Sequence, residues 1–314
     1  MTARQAEAVT VAGISVKLSN TGKVFFPGDP EITKGDLVEY YRDLARRILP
    51  YLRDRPLVMA RYPDGIGGER IFQKNIPGYF PAWVNRVEVE KAGGELCQVI
   101  CDKPATLVYL ANQACIELHA FLSKVSTLDR PDQVVFDLDP PNEDRFGDAA
   151  QLALRLRELL EDELKLTAYV KTTGGKGLHV HVPLRAGDGF DAARRFARQA
   201  SEVLAARNPD LLTTQQRRAG RGDRIYADVM RNAYAQTVVA PYSVRARPGA
   251  PVATPLRWEE LTDRDLTPQR FTLRSVGSRL EQLGTSDPWA GLARRGYSLD
   301  RAARRLEEIA ARAR

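Results

Sequence analysis

Cysteine, histidine, methionine and tryptophan are all scarce, with three of each in 314 residues. Three cysteines, an odd number, do not make a disulfide framework and fit a reducing compartment, so the chain is read as cytoplasmic. No apolar run approaches the ~20 residues of a membrane span. The start MTARQAEAVTVAG lacks the features of a secretory signal. Cys97, Cys101, Cys115 and His119 are spaced like a zinc quartet, yet Cys97 and Cys101 on one strand would stand about 13 Å apart. Zinc–sulfur bonds of ~2.3 Å cannot bridge that, and buried free thiols are expected instead. Internal repeats and low-complexity linkers are also missing. What remains is an ordinary globular composition, 43% hydrophobic and 28% charged. The net charge of +7 permits a polyanionic partner without requiring one.

The most informative stretch is Gln133-Val-Val-Phe-Asp-Leu-Asp-Pro140. Val134, Val135, Phe136 and Leu138 are strand formers, and Pro140-Pro141 ends the run. Strand side chains alternate faces, so Asp137 and Asp139 share one face, against Phe136 and Leu138 on the other. Like charges on one face repel and call for a compensating cation. An aspartate turn at a strand end is the competing explanation for the pair alone. Arg224–Met230 also alternates and embeds a third carboxylate, Asp228.

Between them, Thr173-Gly-Gly-Lys-Gly-Leu-His-Val-His181 brings glycines, whose backbone N–H groups can approach an anion, and Lys176, a point charge. It is not a Walker A loop, since no Ser or Thr follows the lysine and a strand rather than a helix begins at Leu178. His179 and His181 fall on one face of that strand. Earlier in the chain, Thr33 with Asp36 reads as a helix N-cap. An amphipathic helix over 34–50 follows, ending near Pro50, with Lys23 and Lys34 flanking the loop before it. Arg70-Ile-Phe-Gln-Lys-Asn75 mixes basic and aromatic residues as nucleic-acid surfaces do. Pro104 is expected to open a helix running through Phe121, and further helices are expected over 149–164 and 190–207. Three strand-borne aspartates beside a basic phosphate loop suit phosphoryl or nucleotidyl transfer with two Mg²⁺ or Mn²⁺ ions. A two-metal nuclease or phosphoesterase acting on DNA ends, and a non-catalytic DNA-end-binding scaffold, are the alternatives.

Taken together, Phe72-Gln-Lys-Asn75, Val134–Pro140, Thr172–His179, Ala227-Asp228 and Ala240-Pro-Tyr-Ser-Val-Arg245 resemble, in order, the polymerase domain of bacterial non-homologous end-joining DNA ligases. That family lies in the archaeo-eukaryotic primase superfamily, and the chain is most similar to its stand-alone members. The resemblance implies an α/β (α+β) primase-polymerase fold, with mixed, mostly antiparallel sheets flanked by helices. It implies a tail over 1–15, one catalytic domain over 16–300 and a C-terminal helix over 301–314. Asp137, Asp139 and Asp228 would bind the catalytic metals, often Mn²⁺, and an NTP or dNTP would be the substrate. His119, Thr173, Gly175, Lys176 and Arg245 would hold the nucleotide. Lys23 and Lys34 would grip a DNA 5′-phosphate, and Phe72, Lys74 and Arg61 would meet the template. Ile71 stands where relatives often have a second aromatic, and Thr173 replaces their serine. No ligase lysine motif appears, so a separate DNA ligase, with a Ku-type end-binding protein, is the expected partner of a nucleoid-associated bacterial enzyme.

Overall fold

The computed structural model describes residues 7–91, 93–185 and 187–312. The chain forms two compact units, each built on its own six-stranded sheet. The first takes the chain up to Phe121, then Thr237–Ala253 and Phe271–Glu281; the second takes Leu122–Gln236, Thr254–Arg270 and the chain from Gln282 on. The stretch expected as one domain over 16–300 clusters into these two units, whose segments interleave along the sequence with no compositional linker at their border.

The sheet of the first unit runs Thr237–Val239, Cys115–Phe121, Pro56–Arg61, Gly94–Ile100, Arg86–Lys91, with Ile71–Gln73 also paired to Pro56–Arg61; every pairing is antiparallel. Leu57, Met59, Val99, Leu107, Leu110 and Ile116 are fully buried in its core. Residues 7–15, expected as tail, instead belong to a hairpin, Glu7–Val11 paired with Ile14–Leu18. Its turn uses Gly13 with φ of 82°, and Val16 and Leu18 bury one face. Residues 1–6 of that expected tail lie outside the described residues.

Two helix expectations in this unit need correction. The helix expected over 34–50 is two, Lys34–Asp43 and Ala45–Leu52, and Pro50 lies inside the second. Proline forfeits one backbone bond there, while fully buried Ile48 and Leu52 hold the turn in place. Thr33 does cap the first, with the reciprocal bonds to Asp36 that the sequence suggests. The helix expected from Pro104 to Phe121 ends at Asn112, and Cys115–Phe121 is a strand. Ala114, with φ of 62°, breaks the helical path. Apolar residues at 107, 110, 111, 114, 118 and 121 fit a helix, but 116, 118 and 120 fit a strand equally. Periodicity cannot separate the two where both faces are buried.

In the second unit the sheet order is Leu212–Thr213, Ile225–Asp228, Gln133–Asp139, Leu178–Pro183, Tyr169–Thr172, Pro255–Leu256. Only the first pair is parallel. Helices Phe146–Arg157 and Phe190–Arg207 pack on Gln133–Asp139, and the C-terminal helix spans Asp300–Arg312, with residues 313–314 outside the described set. Two indoles fasten the sheet's far edge: Trp258 Nε1 donates to the Ala168 carbonyl and Trp289 Nε1 to that of Val170. No described helix is long and apolar enough to cross a membrane.

Candidate active site

In the second unit the register places Asp137 directly opposite Asp228 on one neighbouring strand and opposite His179 on the other. Cross-strand partners share a face, so Asp137, Asp139, His179 and Asp228 form one polar surface on an otherwise apolar sheet. Lys171, fully buried, continues the row beyond His179. His179 Nε2 lies 3.5 Å from Asp137. Lys176 Nζ is 3.6 Å from Asp139 and donates to the carbonyls of Pro140 and Pro141 at 3.0 and 3.2 Å. The prolines that end the strand thus also turn their carbonyls toward the lysine. Arg231 Nε sits 3.7 Å from Asp137 and 3.6 Å from Asp228.

Neither Arg231 nor Arg221 was singled out in the sequence; an arginine three residues past a strand-end aspartate was the available signal. Arg231 is positioned by its neighbour Asn232. The Asn232 side chain accepts from the Val135 N–H at 2.8 Å and donates to the Val135 carbonyl at 2.7 Å, continuing the ladder after Asp228 leaves it. The Arg221 guanidinium stacks on Tyr226 at 3.7 Å and contributes positive charge to Asp139 and Asp228.

Thr173 closes the glycine-rich loop on itself. Its Oγ1 accepts from the Gly175 and Gly177 N–H groups at 3.1 and 3.3 Å, and its backbone N–H donates to the Gly177 carbonyl. Gly177 is obligatory, since a Cβ there would run into the Leu138 carbonyl. Gly174 adopts φ of 65°, which glycine takes without strain.

Burial, and then the neighbouring Asp137, raise the pKa of Asp139 despite Lys176. Burial also raises that of Asp228, with Asp137 adding to it and Arg231 opposing it. Three carboxylates thus face two close cations, Lys176 and Arg231. Among the described residues no three His, Cys, Asp or Glu side chains are gathered so as to hold a metal ion, and Arg231 and Lys176 stand against the aspartates. The donor set nonetheless fits a hard divalent cation: all oxygens, on one face, with carboxylates in excess of close cations. Asp137, Asp139 and Asp228 are the residues that would hold it.

The first unit carries a complementary, cationic cluster. His119 and Arg245 meet on Glu117, a residue the helix expectation concealed. On a helix, residues 117 and 119 would point apart; on a strand they share a face. Arg245 Nε donates to Glu117 Oε1 at 2.9 Å and His119 Nε2 contacts Oε2 at 3.0 Å. Burial would push the Glu117 carboxyl up, but the bonds from His119 and Arg245 outweigh it and hold it well below the usual carboxylate range. Burial lowers the His119 pKa, against the pull of Glu117.

Phe72 and Ile71 are both exposed, and the Phe72 ring meets His119 edge-on at 5.4 Å. Lys74 is exposed on the segment after them. Arg61 faces away from Phe72, bonded to the Gln113 carbonyl at 2.7 Å and to Gln73 at 2.6 Å. Lys23 and Lys34 lie together at the N-terminus of helix Lys34–Asp43: the Lys34 N–H donates to the Lys23 carbonyl at 2.8 Å. Lys23 Nζ pairs with Asp64 at 2.6 Å and Lys34 Nζ bonds Ser19 at 3.3 Å. Burial, with Lys23 adding to it, lowers the Lys34 pKa to about 8. Two lysines thus add positive charge at a helix N-terminus, met in part by Asp64 and by the Asp36 carboxylate of the cap.

The three cysteines are free, with Cys101 and Cys115 fully buried and their thiols pushed up by that burial.

The chain is 35% identical over 305 residues, 96% of its length, to the multifunctional non-homologous end joining protein LigD of Pseudomonas aeruginosa. It is 32% identical over 86% of its length to the bifunctional non-homologous end joining protein LigD of Bacillus subtilis. It spans 35% of the former and 43% of the latter. Among solved structures, the polymerase domain from Mycobacterium tuberculosis Ligase D in complex with DNA aligns with a TM-score of 0.82 and 28% identity. That alignment covers 90% of this chain and 99% of that one. Residues 33–289 match the family description "LigD, primase-polymerase domain". With both its acidic row and its basic cluster carried on antiparallel sheets, the chain belongs to the LigD primase-polymerase domain family, whose members are nucleotidyltransferases of the polymerase and primase kind.

Proposed function

We propose that this protein adds nucleotides, directed by a template, to a primer 3′-OH at short gaps or broken DNA ends in non-homologous end joining. The observation that carries the reading is the carboxylate row, Asp137 opposite Asp228 with Asp139 beside them, next to the Lys176 loop. Two divalent ions, Mn²⁺ or Mg²⁺, would supply activation of the 3′-oxygen and neutralisation of the leaving pyrophosphate. The protein's own groups do the rest. Lys176, Thr173, Gly175, His119 and Arg245 are the groups that the family resemblance assigns to the triphosphate of an incoming NTP or dNTP. Ribonucleotides are the preferred substrate, and primase or terminal-transferase activity accompanies gap filling.

Phe72 stacks on the template base at the gap, a contact indifferent to sequence, with Lys74 on the DNA backbone. Arg61, already bonded to Gln113 and Gln73, braces the Phe72 strand at the edge of that surface. Lys23 and Lys34 hold the downstream 5′-phosphate. A DNA ligase activity seals the product, with a Ku-type protein at the ends.

The test is extension of a gapped duplex bearing a 5′-phosphate, read on a denaturing gel. Wild type lengthens the primer only with nucleotide and divalent metal, while Asp137→Ala and Asp139→Ala do not. Extension by both variants at the wild-type rate defeats the reading, and a shortened primer identifies a nuclease.

A further inference from the structure

We propose that Glu117 is a positioning residue, a buried carboxylate that fixes His119 and Arg245 in the one arrangement that meets a nucleotide's phosphates. The inference rests on the assignment of those two groups to the nucleotide. The Glu117 side chain is only 5% exposed, and an isolated carboxylate is costly at such a site. Here both oxygens are committed. Oε1 accepts from Arg245 Nε at 2.9 Å and from the Ala246 N–H at 3.1 Å. Oε2 accepts from His119 Nε2 at 3.0 Å and faces Arg70 at 3.8 Å.

The register explains how these groups meet. Glu117 pairs with Ala60, and Ala60 pairs with Phe72. The three share a face, and the small alanine leaves space above it for larger side chains. Phe72 then braces the His119 ring from its edge, and Arg70 lies over Phe72 at 4.8 Å. One carboxylate thus orders two guanidinium groups and an imidazole, so positive charge remains after the pairing and is available to an anion.

A purely structural role would make Glu117 the staple that holds the Ala240–Arg247 segment to the sheet. That work is done by other groups. The Leu118 N–H donates to Ser243 Oγ at 2.9 Å, the Ala240 N–H donates to the Leu118 carbonyl at 2.9 Å, and the Val244 N–H donates to the Tyr41 hydroxyl at 3.1 Å.

Charge and oxygen count both matter. A glutamine at 117 keeps the shape but turns one acceptor into an NH₂ donor, which must face either Arg245 and Ala246 or His119. One of the two nucleotide groups is then released. With a gapped 5′-phosphorylated duplex, Glu117→Gln is expected to raise nucleotide KM by about 10- to 100-fold, the worth of one charge-assisted hydrogen bond, with kcat far less affected. Affinity for the duplex stays near wild type, while Tm falls because a buried, paired carboxylate is lost. Glu117→Asp, which keeps the carboxylate and loses reach, falls between the two.

A wild-type KM in Glu117→Gln overturns the proposal. So does a parallel loss of kcat and duplex affinity in that variant, the signature of a structural residue. Unchanged KM in His119→Ala and Arg245→Ala would instead overturn the assignment of those groups. Nitrogen NMR of the wild-type protein, with the His119 signal identified by its loss in His119→Ala, decides independently of the folding of any Glu117 variant. A His119 Nε2 proton held on Glu117 in the free protein, with Nδ1 gaining a proton when nucleotide binds, supports the proposal, and an Nε2 that carries no proton overturns it.

Discussion

The two units solve opposite electrostatic problems with the same device. In the second, Asp137, Asp139 and Asp228 crowd one face of an antiparallel sheet and are met by Lys176 and Arg231. In the first, one carboxylate, Glu117, is met by Arg245, His119 and Arg70. Each cluster sits on interior strands, where register fixes side-chain positions more tightly than a loop can. The carboxylate excess leaves an attraction for cations, and the excess of bases leaves an attraction for anions. A polymerase needs both. Burial, with Asp137 adding to it, raises the pKa of Asp139 and Asp228, whereas the bonds from His119 and Arg245 outweigh burial and depress that of Glu117.

The contrast is broken most severely on its acidic side. Asp137→Ala and Asp139→Ala are expected to lower primer extension by about a thousandfold or more, because several kcal/mol of metal-dependent stabilisation is lost. Metal titration of the extension rate checks this, and excess Mn²⁺ should not restore it. On the basic side, Arg245→Ala is expected to raise nucleotide KM about tenfold or more, while duplex affinity holds. Steady-state kinetics separates the two.

A smaller effect concerns the third charged site, at Lys23 and Lys34. The Lys34 pKa lies at about 8, so the lysine loses its charge as pH rises through that value. Preference for 5′-phosphate over 5′-hydroxyl gaps should therefore decline across the same window. Bound phosphate favours the charged lysine and moves the decline to higher pH. Lys34→Arg, charged at every accessible pH, should flatten the profile, and Lys23→Ala should erase most of the preference. The smallest effect sharpens the comparison through stability. Without divalent metal, Asp228→Asn removes a like-charge cross-strand pair with Asp137 and should raise Tm by roughly 2–4 °C. With Mn²⁺ the wild type should gain stability that the variant lacks.

The linkage has the same sign. A carboxyl whose folded pKa is raised is more stabilising in its protonated form, so that contribution is lost as pH rises through the folded pKa. Metal-free wild type should accordingly gain relative to Asp228→Asn as pH is lowered into the carboxylate range.

Much of this was legible in the chain itself. Alternation put Asp137 and Asp139 on one face, Pro140-Pro141 ended their strand, Thr33 and Asp36 marked a helix start, and helix Phe190–Arg207 matched its expected bounds. These are local facts, set by side-chain periodicity, ring constraints and capping bonds among neighbours. Tertiary structure decided the rest. That Asp228 lies opposite Asp137, rather than merely on some strand, depends on pairing across some ninety residues. That Arg231 meets both aspartates depends on Asn232 extending the ladder. Glu117 stayed hidden because Cys115–Phe121 is buried on both faces, where helical and strand spacings look alike; only the sheet that received the segment chose between them. Side-chain type and alternation belong to the sequence, whereas register belongs to the partner strand, and register is what assembles both charged clusters.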